Sequence, residues 1–547
     1  MSTLRQKDGL SGFTDPQESE HDFFKLGHAS TSVSQALGLV VAQDLQNKNE
    51  KVVAVLGDGA LTGGLAYEAL NNAGHTKRNL LIILNDNEMS IAPNVGAVSK
   101  YLNSMITNPL YNRVRKRVEE STVRMPRLQK LIKQAEESIK SLIVPGVLFE
   151  EMGFRYFGPL DGHDVVSLTE SLKKILNLKG PRILHILTKK GMGCELADKD
   201  PERLHGIAAP VPVSTAKESA KVERKEILVP ETKPFTKVFS EAILRLAEKD
   251  PRVVAITAAM PSGTGLVEFQ KKFPERFFDV GIAEQHAVAF AGALAKGGRR
   301  PVCAIYSTFL QRAVDQLIHD VGLQEQSVIL ALDRAGVVGE DGPTHHGLFD
   351  MSFLRAIPGA VLASPKDTRE MNRMLELGLE AKGIFAIRYP RGKVPHEFLE
   401  SSAHFEVGEG EVLKEGEDVT ILTLGVLAQT AMRAAGILEK EGVSAGVMNM
   451  RFAKPLDRSL LQQAVSKRHP LITLEDHVLQ NGFGSAILEA LSEMDAEGTR
   501  VIRLGFGDEF VTHAKREDLL AQAGMNPEKI AERTLKELNY AKSRISR

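Results

Sequence analysis

The chain has 547 residues, 43% of them hydrophobic and 25% charged, with a formal net charge of −1. That length exceeds what one hydrophobic core supports, so about three domains are expected, and the near-zero charge excludes a global field for nucleic acid or an anionic membrane surface. No apolar run is long enough to span a bilayer, the opening residues lack the apolar stretch of a secretory signal, and two cysteines, Cys194 and Cys303, are read as reduced thiols of a cytoplasmic protein.

In chain order, Gly27-His28-Ala29-Ser30-Thr31-Ser32 opens a helix near SVSQALGLVVAQDL. Taken alone, Ser and Thr there are N-caps, although the same helix start can bind an anion. KVVAVL and NLLIIL are continuous apolar runs bounded by polar turns, as parallel strands buried on both faces require. LTGGLAYEALNNAGHT between them reads as a helix, which makes a βαβ unit. Residues 93–145 interrupt the pattern with a Lys- and Arg-rich helical excursion that includes RVRKR at 113–117, read as a solvated segment near the site. A later strand, ILHILTKK, follows the Gly180-Pro181 break, and this first α/β unit runs over residues 1–207. Residues 208–234, rich in Pro, Lys and Glu, are the expected linker. A second unit at 235–400 contains the strands RVVAIT, PVCAIY, SVILALD and FAIRYP; a third at 410–547 contains VTILTLG, AGVMNM, PLITLED and RVIRLGF. The expected fold class is α/β, with three doubly wound domains.

The sharpest chemical signal lies at the ends of the first two strands. Asp58 sits between Gly57 and Gly59, and Asn87 follows the next strand in an Asn-Asp-Asn turn. Ligands of open α/β sheets collect at such strand ends. A carboxylate, an amide oxygen and the backbone carbonyl of Met89, completed by two phosphate oxygens, suit octahedral Mg²⁺ on a diphosphate. The flanking glycines let backbone N–H groups approach a phosphate.

In the second unit Glu284, in Ile282-Ala283-Glu284-Gln285-His286, stands between a strand and an apolar helix. It is either a helix N-terminal acid favoured by the dipole or a functional carboxyl. Tyr306 and Phe309 supply an aromatic wall at a following strand end, with Arg312 on the next helix. Arg334, Asp341, His345 and His346 share one glycine-rich loop. Adjacent histidines with Asp suggest Zn²⁺, but the spacing is poor for a tetrahedral site and action on substrate is preferred. Arg391, in RYPRG, can fork onto a phosphate.

GDG, then NDN, then the glutamate of IAEQH resemble the transketolase group of thiamine diphosphate enzymes. More narrowly, LGHASTSVS, LGDGALTGGLAYEALNNAG, ILNDNEMSI, GPLDGHD, FFDVGIAEQHAV, AIYSTFLQRAVDQ, DRAGVVGEDGPTHHG and RYPRG resemble the 1-deoxy-D-xylulose-5-phosphate synthase family, in order over nearly the whole chain. The resemblance implies three domains of transketolase type. It implies condensation of pyruvate with D-glyceraldehyde 3-phosphate to 1-deoxy-D-xylulose 5-phosphate and CO₂, the first step of non-mevalonate isoprenoid precursor synthesis, by a homodimer. It also implies roles. Asp58, Asn87 and the Met89 carbonyl would bind Mg²⁺; Gly27, His28, Ala29, Gly59 and Ala60 would line the cofactor. Glu284 would hydrogen-bond the aminopyrimidine ring, with Tyr306 and Phe309 packed around it. Arg334 and Arg391 would hold the acceptor phosphate; His345, with His205 and Asp341, would move protons or hold substrate. Tyr306 would also touch substrate.

Two departures from the family accompany the match. The chain begins after an additional N-terminal segment of the family, and Cys194 replaces a cofactor-contacting tyrosine in the stretch Gly191–Ala197. They motivate two alternatives: a non-catalytic or partner-requiring synthase-like protein, or another enzyme of the transketolase group.

Overall fold

The computed structural model describes residues 2–90, 94–107, 146–200, 202, 204–206, 232–394, 404–496 and 498–545. RVRKR and most of residues 208–234 lie outside them; within the expected excursion, a helix spans Ala97–Thr107.

The strands, in chain order, form three sheets. The first holds β1 (Val52–Gly57), β2 (Leu80–Asp86), β3 (Arg155–Asp161) and β4 (Arg182–Leu187). The second begins with β5 (Val253–Thr257), β6 (Phe277–Asp279), β7 (Arg300–Tyr306), β8 (Val328–Asp333), β9 (Val361–Ala363) and β10 (Ile384–Arg388). Then come β11 (Glu411–Lys414), β12 (Val419–Thr423), β13 (Ala445–Asn449), β14 (Phe452–Lys454), β15 (Leu471–Val478) and β16 (Val501–Phe506). The orders are β1-β2-β4-β3, β14-β9-β10-β8-β7-β5-β6 and β11-β13-β12-β15-β16. Only β11 and β14 pair antiparallel to their neighbours among the registered pairs.

Packing divides the chain into two compact units. The smaller comprises His28–Gly206 with Asp279–Ala283; the larger comprises Met1–Gly27, Ile207–Phe278 and Glu284–Arg547.

In the smaller unit, β1 crosses to β2 through the helix Gly64–Thr76, the βαβ unit that the apolar runs require. Ala66, Ala69, Leu70 and Ala73 recur at helical spacing and turn one face into a core with Ala54, Leu56, Ile82 and Leu84. Leu81, Leu184 and Ile186 face the other side of the sheet. The alternation of β2 between two cores explains its unbroken apolar sequence.

In the larger unit, the helix Phe235–Lys249 buries Phe235, Val238, Phe239, Ala242, Ile243 and Leu246 along one stripe. Each fully buried Phe contributes roughly 1.5–3 kcal/mol. The short strand β14 leaves the third sheet's sequence and completes the second sheet against β9. An ionic network secures this crossover. Arg451 Nε donates to Glu370 Oε1 at 2.7 Å and its Nη2 to Glu411 Oε2 at 2.7 Å, while Lys366 Nζ meets Glu370 Oε1 at 2.9 Å. Arg451 and Glu370 are buried, so their charges depend on one another.

Candidate cofactor and metal site

Gly57 is in register with Asn85, so Asp58 and Asn87 both leave the carboxyl edge of the first sheet. Asp58 is buried. Its Oδ2 accepts from Asn94 Nδ2 at 2.6 Å, whereas its Oδ1 is buried and makes no hydrogen bond. Burial, then the neighbouring Asp86 carboxylate, push Asp58 up to about 7 against the opposing amides of Asn87 and Gly59. The Lys190 ammonium acts on this carboxyl from a distance without bringing it back to the ordinary range, and a divalent cation would supply the further positive charge. Asn87 Oδ1 accepts from Met89 N–H at 3.0 Å, a turn that fixes the amide. Glu88 between them adopts φ +61°. Among the described residues no three His, Cys, Asp or Glu side chains group to hold a metal. The oxygens these strand ends offer are one carboxylate, one amide and a backbone carbonyl, a hard set that would fit Mg²⁺.

Gly59 has a steric reason to be glycine: a Cβ would lie 2.7 Å from Ser90 Cβ and 3.1 Å from Asn94 Oδ1. Ala60 opens a tight turn over Ala60–Thr62, and Ser30 Oγ donates to Ala60 O at 2.7 Å. The loop that holds His28 and Ala29 is thereby fastened to the Asp58 turn. Thr31 stands at the N-cap of the helix Ser32–Leu45 but makes no side-chain cap bond, so the capping expected of Ser and Thr is absent. Ser30, at φ +76°, points its hydroxyl across to Ala60 instead. The same unit contains Ile282, whose N–H donates to Thr62 Oγ1 at 3.0 Å. Lys190 Nζ reaches Ser90 O at 2.9 Å and His205 Nδ1 at 2.8 Å. Crowding by the surrounding protein and the Lys190 ammonium push His205 below its ordinary pKa, although its edge faces solvent.

In the larger unit, Glu284 is the first residue of the helix Glu284–Lys296 and is 3% exposed. Its Oε2 makes no hydrogen bond, and Arg312 Nη1 stands 3.7 Å away. Burial raises the carboxyl above the ordinary glutamate range, and Arg312 offsets this only in part. Cys303, on β7, is pushed up to about 12 by burial and the Glu284 charge, so it stays a thiol.

Tyr306 ends β7 and stacks on Phe309 with centroids 5.6 Å apart. Phe309 meets His345 edge-on at 5.5 Å, and Phe13 stacks on His345 at 4.6 Å. Arg334 lies over the Tyr306 ring at 4.2 Å, donates to Gly263 O at 2.7 Å and pairs with Asp333 at 2.9 Å. Asp341 accepts from Arg391 at 3.1 Å and from Arg5. Gly27 packs on the same loop: a Cβ there would lie 2.2 Å from Thr344 Oγ1.

Tyr306, Phe309, Arg334 and His345 thus converge, and Asp341 joins Arg391. His346 does not join them. Its Nδ1 accepts from Val338 N–H at 3.0 Å and its Nε2 meets Thr512 O at 3.2 Å, which makes it a latch for the loop. Cys194 is exposed at the start of the short helix Glu195–Lys199. Arg5, Asn94, Asp86 and Lys190 escaped sequence reasoning. Only Asp86, the middle residue of the Asn-Asp-Asn turn, carried a signal.

Residues 1–188 match the family described as 1-deoxy-D-xylulose-5-phosphate synthase. The 1-deoxy-D-xylulose-5-phosphate synthase of Heliobacterium modesticaldum is 49% identical over 550 residues, covering 100% of this chain and 83% of that protein. The chain belongs to the 1-deoxy-D-xylulose-5-phosphate synthase family. The family's enzyme from Syntrophus aciditrophicus is 48% identical over 99% of this chain and 83% of its own length. Beyond the first match, residues 231–397 fit the pyrimidine binding domain of transketolase and residues 408–530 its C-terminal domain. A split-gene transketolase, solved as an inactive beta4 tetramer, is 31% identical with TM-score 0.52, covering 56% of this chain and 98% of that one. Transketolase from Campylobacter jejuni shares the fold at 20% identity and TM-score 0.50, over 94% of this chain and 82% of that one.

Proposed function

We propose that the protein condenses pyruvate with D-glyceraldehyde 3-phosphate to give 1-deoxy-D-xylulose 5-phosphate and CO₂, with thiamine diphosphate and Mg²⁺. The observation that carries this reading is 49% identity to a family enzyme along the whole chain. Bound thiamine diphosphate supplies the carbanion-stabilising centre. The protein's own groups bind, orient and move protons.

Asp58, Asn87 and the Met89 carbonyl would hold the cation, which would supply positive charge to the diphosphate. Gly59, Ala60 and the loop Gly27–Ala29 line the cofactor. Glu284 is suited to share a proton with a ring nitrogen because its Oε2 lacks a protein partner and its carboxyl resists ionisation. The stacked Tyr306 and Phe309 offer an aromatic wall. Arg391 and Arg334 present guanidinium charge to a phosphate, with Asp341 orienting Arg391. His345, held by Thr344 Oγ1 at 2.9 Å and by ring contacts, positions substrate or passes a proton. His205, depressed in pKa, serves as a neutral base.

A homodimer and a cytoplasmic location belong to the same reading. Among the described residues no helix is long and apolar enough to cross a membrane.

The test is direct. The purified chain, supplied with pyruvate, glyceraldehyde 3-phosphate, thiamine diphosphate and Mg²⁺, should release CO₂ and form 1-deoxy-D-xylulose 5-phosphate. Cofactor binding without turnover would instead point to a partner-requiring or non-catalytic protein.

A further inference from the structure

Behind Asp58 the first sheet carries a line of polar side chains that no motif announces. His185, on β4, is 0% exposed and flanked along its strand by Leu184 and Ile186. A buried imidazole is costly unless both nitrogens are bonded, and both are. Nδ1 lies 2.7 Å from the Tyr156 hydroxyl and Nε2 lies 3.1 Å from Asp86 Oδ2. An ionised Asp86 only accepts, so in a neutral ring Nε2 carries the proton and Nδ1 accepts from Tyr156.

Strand register creates the line. Leu84 is opposite His185 and Tyr156 is opposite Ile183. Side chains two apart on a strand share a face. Tyr156, His185 and Asp86 therefore lie on one face of the three adjacent strands β3, β4 and β2. Gly158, at φ +111°, allows β3 to approach: a Cβ there would lie 2.3 Å from His185 O.

The line ends at the proposed cation donors. The second oxygen of Asp86, Oδ1, accepts from Glu88 N–H at 3.2 Å, so both carboxylate oxygens are held. Asp86 precedes Asn87 directly and neighbours Asp58. A carboxylate fixed at both oxygens cannot swing into the cation's place, and it holds the turn that presents Asn87 and Met89.

We propose that Tyr156, His185 and Asp86 form an orienting chain for the Mg²⁺ donors Asp58 and Asn87, with Tyr156 and His185 as positioning residues. The proposal rests on the reading of Asp58 and Asn87 as those donors. Partners behind metal ligands are typically worth roughly 10–100-fold in metal affinity.

The experiment titrates Mg²⁺ calorimetrically into the full chain with saturating thiamine diphosphate, and melts the cation-free protein alongside. Tyr156→Phe keeps the ring beside Phe149, 6.0 Å away, and removes only the hydroxyl. It should weaken Mg²⁺ by roughly tenfold, and His185→Gln by up to roughly a hundredfold. Turnover should recover at saturating Mg²⁺, because these side chains act through the donors. Mg²⁺ affinity within twofold of the parent in Tyr156→Phe overturns the proposal, whether or not melting changes, and that variant decides alone where His185→Gln fails to fold. Asp58→Asn separates the two readings. If it abolishes Mg²⁺ binding while the Tyr156 and His185 variants bind normally, only the orienting chain is rejected. If it leaves Mg²⁺ binding intact, the donor assignment falls and the orienting chain with it.

Discussion

Arg312 Nη1 stands 3.7 Å from Glu284 Oε2, outside hydrogen-bond distance, so this buried oxygen has a guanidinium beside it but no bond to it. Burial therefore prevails and holds Glu284 above its ordinary pKa. Replacement by Gln keeps the shape and removes the exchangeable proton. Glu284→Gln should lower turnover by at least ~100-fold, the range of a lost acid–base group. Its melting temperature should match or exceed the parent's, because a poorly compensated charge is gone. CO₂ release and a thermal melt measure the two; near-parental turnover would reject the assigned role.

Asp58 presents the same conflict in sharper form, with a second carboxylate, Asp86, beside it. Asp58→Asn relieves the repulsion, so the cation-free variant should melt higher than the cation-free parent. Mg²⁺ with thiamine diphosphate should then raise the parent's melting temperature and leave the variant's unchanged, since ligand binding stabilises only a state that binds. Equal upward shifts in both proteins would show that the cation is held elsewhere.

Arg391, proposed to hold the acceptor phosphate, does not carry the fold. Its side chain is 47% exposed and pairs with Asp341 at 3.1 Å. Exposed pairs contribute about 0–1 kcal/mol to stability, whereas a hydrogen bond to a charged group is worth about 1.5–3 kcal/mol. Arg391→Ala should raise KM for glyceraldehyde 3-phosphate by roughly ten- to a hundredfold. KM for pyruvate and the melting temperature should barely change. A rise in the pyruvate KM alone would move the phosphate contact to another residue.

Much of this arrangement is legible in sequence, for a physical reason. β2 packs against a core on each face, so it reads as an unbroken apolar run, and Asp58, Asn87 and Glu284 stand out because they interrupt such runs at strand ends or a helix start. Where tertiary contact sets the structure, the sequence is silent. β14 is three residues long and exists through its pairing with β9. β3 contains the Gly158-Pro159 break and has irregular pairing between Phe157 and Leu160. β1 exposes Val53 and Val55, although its continuous apolar run reads as a strand buried on both faces. Asn94, Arg5 and His185 matter through partners 36, 336 and 99 residues away, and no local pattern encodes such distances.

Two buried groups on β15 give the protein an acid response that can be dissected. Glu475 accepts from Phe483 N–H and Gly484 N–H at 2.5 and 2.9 Å, but burial outweighs these bonds and pushes it up from 4.5 to about 7. Its folded form binds the proton more tightly, so its stabilisation is complete below about 4.5 and is lost as pH rises to about 7. His477, also fully buried, is pushed down from 6.5 to about 4. Its contribution has the opposite sign: complete above about 6.5, and lost as pH falls to about 4. Between these limits the two slopes oppose one another. The stability of the parent minus that of Glu475→Gln should therefore decline with pH from about 4.5 to 7, and the parent minus His477→Gln should climb from about 4 to 6.5. Each change approaches about 3 kcal/mol across its window at 1.36 kcal/mol per pKa unit. Urea midpoints of parent and variants, taken at half-unit steps of pH, yield the difference curves. Two curves of the same sign would contradict the assignment, because a buried acid and a buried base cannot both lose stability in one direction of pH.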